Sequence, residues 1–102
     1  MPEIKRERPL GEIICQNIQS VYATINTTEP LERGTLLVSN DAGVTFSVVA
    51  VDGENANGVL LDYVNETKKA AVLVTGSVVE TNIVGLRDVL KPKLFENKII
   101  LK

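Results

Sequence analysis

With no histidine in the chain, any acid–base chemistry falls to carboxylates, lysines or hydroxyls. The carboxylates to weigh are Asp41, Asp52, Glu54, Asp62 and Glu66, most of them in stretches that read as loops. A glycosidase needs two carboxyl groups flanking the scissile bond. With four aromatic residues in all, there is little here to line a sugar subsite. Asp52-Gly53-Glu54-Asn55-Ala56-Asn57-Gly58 offers oxygen ligands as a calcium loop does. Its glycine comes too early, and Tyr63 holds the twelfth position where a bidentate acid belongs. The stretch reads as a plain turn-rich loop. Cys15 is the only cysteine, so it has no internal disulfide partner and no companion thiolate for a metal. Gly34, Gly43, Gly58 and Gly76 do not open a helix after a strand, so they build no phosphate cradle. They read as turn and bend positions. The expectation is a protein that is not an enzyme and carries no cofactor and no metal.

One lysine stands apart. Glu66-Thr67-Lys68-Lys69-Ala70 resembles the hairpin tip of lipoyl carrier domains, with Lys69 in the place of the acylated residue. Lys68 stands where that family usually has an acid. The other reading of these residues is a charged turn between two strands.

The elements that would hold such residues are strands. The chain has 102 residues, a single-domain length, and 14 Val, 8 Ile and 8 Thr, about three residues in ten. Side chains branched at Cβ fit a pleated, half-buried surface better than a helix. Turn residues divide the sequence into predicted strands at 21–26, 35–39, 44–51, 59–64, 70–75 and 77–80. Asn40-Asp41-Ala42-Gly43 reads as a hairpin loop. Strand 44–51 carries Val44, Phe46, Val48 and Ala50 on one face and Val49 and Val51 on the other. Such a strand is expected inside the domain or at a subunit contact. Gly76 predicts a bulge or sharp bend. Ile83, Leu86, Val89 and Leu90 follow helical spacing, which predicts a short helix over 83–91. Pro92 is placed to open a further turn through Phe95, and 99–101 reads as a closing strand. The fold expected is mainly β with one or two short helices, a compact small β-barrel or β-tulip-like domain.

Residues 1–20 read differently. Charges and prolines fill the first nine positions, and Ile4, Leu10, Ile13, Ile14 and Ile18 are scattered without a clean period. This is the composition of an extended N-terminal arm with apolar anchor points, leaving 21–102 as the β-rich domain. No apolar run is long enough for a bilayer or a signal peptide, which suggests an intracellular product. Residues 29–81 carry eight acids against three bases, whereas 82–102 carry five bases against two acids. No concentrated basic face appears, so nucleic acid is not an expected partner. Lys91, Lys93, Lys98 and Lys102 form either a solvated rim or a surface for an acidic protein partner.

Four segments in order carry a resemblance. They are Leu31-Glu32-Arg33-Gly34-Thr35-Leu36-Leu37, Asn57-Gly58-Val59-Leu60-Leu61-Asp62-Tyr63-Val64, Ala70-Ala71-Val72-Leu73-Val74-Thr75-Gly76-Ser77-Val78, and Leu86–Leu90 followed by Lys98-Ile99-Ile100-Leu101. Together they resemble the lambda-type head decoration proteins of bacteriophages across residues 21–101. The resemblance implies a homotrimer on the outer surface of a capsid, made in the host cytoplasm and carried in the virion. It implies the major capsid protein as partner, with no direct nucleic acid, membrane or small-molecule substrate. It also implies an N-terminal arm that adds backbone hydrogen bonds to a capsid strand. Two alternatives stay open: the lipoyl-type carrier with Lys69, and an oligomeric β adaptor.

Overall fold

Two long strands built from the β-branched residues run the length of the molecule, and the shorter ones complete a ring around them. The computed structural model describes residues 13–50 and 52–102. The strands are β1 (Ile14–Asn26), β2 (Leu36–Val38), β3 (Thr45–Val48), β4 (Gly58–Leu60), β5 (Lys68–Val78) and β6 (Ile99–Leu101). They form one mixed sheet in the order β1-β3-β2-β4-β5-β6. β5 also pairs back to β1, so five strands close into a ring. β1–β3 and β5–β6 are parallel, and the other pairings are antiparallel. β6 lies beyond β4 on the same edge of β5: β4 takes Val72 and Leu73, and β6 takes Gly76–Val78. A mainly β, barrel-like domain is what the composition demanded.

The core has two compartments separated by the β2–β4–β5 wall. Inside the ring, Ala23, Ile25, Leu37, Phe46, Leu60, Val64 and Val72 pack together. On the other side, Ile13, Leu36, Val59, Leu73, Val78, Leu90, Leu94 and Ile99 form a second cluster under the C-terminal segment. Consecutive residues of a strand point to opposite faces, so Leu36 and Leu37 enter different compartments, as do Val59 and Leu60. The sandwiched strands are therefore β2, β4 and the middle of β5, where Val72 and Leu73 also part to the two compartments. The expectation of two buried apolar faces had fallen on 44–51. There only Phe46 is fully buried, while Val44 and Val48 are exposed; Val51 lies outside the described residues.

The helix sits later than its spacing predicts. Residues 83–91 are not a helix; α1 runs Lys91–Glu96, preceded by 3-10 turns at Glu80–Asn82 and Asp88–Leu90. Tertiary pairing overrides the local pattern. Val84 bridges to Thr35, exchanging hydrogen bonds with Gly34 and Leu36, and Gly85 turns away at φ 88°. Arg87 Nη2 donates to the carbonyls of Ala50 and Gly53 at 3.0 and 2.6 Å, fixing an extended approach to the helix. Pro92 in the first turn of α1 lacks a donor the helix does not need there.

Each singled-out glycine has a structural use. Gly43 closes the β2–β3 hairpin, and a Cβ on Gly58 would press into Phe46 and Val72 at 2.7 Å. At Gly34 (φ 90°) a Cβ would lie 2.9 Å from the Asn82 carbonyl oxygen. Gly76 is inside a continuous β5, where a Cβ would overlap the carbonyl oxygen of Gln16 in β1. The bend expected at Gly76 is a ladder irregularity: β1 and β5 shift register between Ile14 and Gln16, between Asn17 and Gln19, and between Gln19 and Ser20.

Candidate interaction surface

The groups suited to catalysis are dispersed or already engaged. Asp41 accepts hydrogen bonds from the Thr45 amide at 2.9 Å and the Ser39 hydroxyl at 2.8 Å. The Thr45 amide first, then the Ser39 hydroxyl, hold its carboxyl below the usual aspartate value. Asp62 faces Arg33 at 3.6 Å. Asp52, Glu54 and Glu66 are solvated. Among the described residues no three His, Cys, Asp or Glu side chains gather into a set able to hold a metal ion. Loop 52–57 is held for structural reasons: Asn57 pairs with the backbone of Ser39, and Asn97 Nδ2 donates to the Ala56 carbonyl at 2.9 Å. Lys69 is exposed but lies within β5, in register with Thr24 of β1, rather than at the tip of a tight turn.

The unusual surface lies where the arm meets the domain. Ile4 and Leu10 lie outside the described residues. Ile13 is fully buried in the core, and Ile14 packs partly against it. These two serve their own domain rather than an external surface. The arm was expected to extend to residue 20, with the first strand starting at 21; the strand starts at Ile14 because the far half of β5 needs a neighbour. Residues Cys15–Ser20 are exposed throughout. Since neighbours alternate faces, this half of β1 is bare on both sides. One of its edges pairs with β5, and β3 covers the other only at Thr24–Asn26. The remaining edge, Ile14–Ala23, carries no strand among the described residues.

A shallow groove of about 360 Å³ lies over β1, β5 and β6 at this end. Gln16, Ser77 and Ile100 form one cross-strand row on its floor. Ile18 (64% exposed), Ile100 (37%) and Phe95 of α1 (71%) provide its apolar surface. Lys98 and Lys102 also line it, and among the described residues no Asp or Glu side chain does. The four C-terminal lysines therefore divide into two pairs. Lys91 faces Asp88 and Glu80 at 3.4 and 3.6 Å, and these two carboxylates, Asp88 first, raise its pKa. Lys93 faces Glu96 at 3.5 Å. Neither Lys98 nor Lys102 pairs with a carboxylate among the described residues.

Of the expected anchors among the described residues, only Ile18 lines this groove. The exposed Phe95 and Ile100, and the buried Ser77 beneath them, carry no site signal in the sequence pattern. One signal of exposure was present: Leu94 and Phe95 are adjacent in a short helix, where neighbours point about 100° apart and cannot share one narrow buried face. Leu94 took the core. No protein-family model and no curated protein matches the sequence.

Proposed function

We propose that the chain is a structural protein of a phage head, binding the outer capsid surface as a trimer and bridging major-capsid subunits. The observation that carries this reading is the first half of β1. It is exposed on both faces, carries no strand along one edge among the described residues, and follows in sequence the charged, proline-bearing segment before Ile13. Strand addition needs unpaired backbone donors and acceptors on the strand that is added, and in this reading residues 2–12, running on into the first half of β1, supply them to a capsid strand. The four-segment resemblance to head decoration proteins supports the same reading; β2, β4, β5 and β6 overlap those segments, whereas β1 and β3 lie outside them. Many equivalent sites on a lattice let a modest contact act through high effective concentration.

Two measurements test this. The native mass in solution should be that of a trimer. Co-sedimentation with expanded capsids should be strong for the full chain and lost when residues 2–12 are removed. Full capsid binding by the truncated chain, or a monomer at micromolar concentration, contradicts the proposal.

A further inference from the structure

The groove over β1, β5 and β6 has a second use, independent of strand addition at the β1 edge. We infer that it is a docking site for an extended peptide segment that alternates apolar and acidic side chains. Three features identify this occupant. Ile18, Phe95 and Ile100 offer apolar surface that the domain's own core does not use. Among the described residues Lys98 and Lys102 border it without carboxylate partners, while the neighbouring Lys91 and Lys93 each face a carboxylate of the chain. An acidic residue beside an apolar one satisfies both at once, and a basic segment is repelled.

The third feature is Ser77. It is 4% exposed, lines the groove, and its Oγ has no hydrogen-bond partner. A buried hydroxyl without a partner is costly, and both a backbone carbonyl and a carboxylate accept from it. The hydroxyl lies just beneath the groove floor, between Gln16 and Ile100, and reaches an acceptor when those side chains part on binding. The inference goes beyond the capsid reading, because the groove selects the segment by its chemistry whichever protein supplies it.

The test uses the full chain and a fluorescein-labelled peptide of about eight residues alternating leucine with glutamate, long enough to cross three strands. Matched peptides alternate leucine with lysine and serine with glutamate. Fluorescence anisotropy should show the leucine–glutamate peptide binding at least about tenfold tighter than either control. Lys98→Glu with Lys102→Glu should weaken it by about tenfold or more, and added salt should weaken it too. Phe95→Ser, on an exposed residue, should weaken binding while leaving the denaturation midpoint unchanged. Ser77→Ala should weaken binding and raise the midpoint, since it removes an unsatisfied buried group. Equal binding of the leucine–lysine peptide, or no effect of the double lysine reversal, overturns the inference. So does adsorption to anionic phosphatidylglycerol vesicles in preference to the peptide. A native mass that falls when Phe95 is changed to serine also overturns it, since the groove's occupant is then a second copy. Loss of capsid binding on removing residues 2–12 with peptide binding intact keeps the two readings separable.

Discussion

Asn57 and Ser39 hold each other through two hydrogen bonds: the Ser39 amide donates to Asn57 Oδ1 at 2.9 Å, and Asn57 Nδ2 donates to the Ser39 carbonyl at 3.0 Å. A side chain thus extends the β2–β4 pairing where the backbone of loop 52–57 turns away. Asn57→Ala leaves a part-buried amide and carbonyl without partners. The expected loss is about 1–3 kcal/mol of unfolding free energy, read from urea denaturation. Asn57→Asp keeps an acceptor for the amide but sets a carboxylate oxygen against the Ser39 carbonyl, so it should not rescue stability at neutral pH.

Gly76 is the position least able to accept a side chain. Gly76→Ala forces a methyl group against the Gln16 carbonyl, which the β1–β5 ladder fixes in place. The expected cost is above about 3 kcal/mol, large enough to leave little folded protein. Gly58→Ala meets the side chains of Phe46 and Val72 instead of backbone. It should cost about 1–3 kcal/mol, as overpacking does, and thermal melts of the two variants should show that order.

Two truncations separate the arm from the domain. Removing residues 2–12 should leave the circular dichroism spectrum and the melting transition in place. Removing 2–20 takes away buried Ile13 and uncovers half of β5. Loss of Ile13 alone is a large-to-small core change of about 2–5 kcal/mol, so the shorter chain should not fold.

Asp41 gives the β2–β3 hairpin a pH dependence of definite sign. Its folded pKa lies below the ordinary 3.8, because the Thr45 amide and the Ser39 hydroxyl donate to its carboxylate. The stabilisation is present above the unfolded pKa and is lost as pH falls through the folded one. The stability advantage of the natural chain over Asp41→Asn should therefore hold at neutral pH and shrink below about pH 4. Urea midpoints measured on both proteins across that range check it.

Strands were legible where side chains alternate and turn residues punctuate. Asn40–Gly43 is a hairpin because Ala42 and Gly43 take positive φ and Ser39 and Asp41 bond the turn, and its residue types say so. The helix was misplaced because Val84 is claimed by Thr35, a residue nearly fifty positions earlier, which no local period reveals. The start of β1 was missed for a similar reason. Cys15-Gln16-Asn17-Ile18-Gln19-Ser20 has little strand character of its own and is extended because β5 lies beside it. Phe95 and Ser77 come together at the candidate groove because β6 pairs with β5 and α1 packs on β6, and the β5–β6 pairing joins residues distant in sequence.

The first and last strands of the domain are anchored unequally. The backbone entering at Ile13 continues straight into β1, whose ladder with β5 runs from Ile14 to Ile25. Hydrogen bonds in an antiparallel ladder lie across the strands, so tension applied before Ile13 strains many of them together in shear. Tension at the other terminus pulls on β6, three residues long and joined to a single neighbour. Under tension, β6 is therefore expected to give way before β1 does.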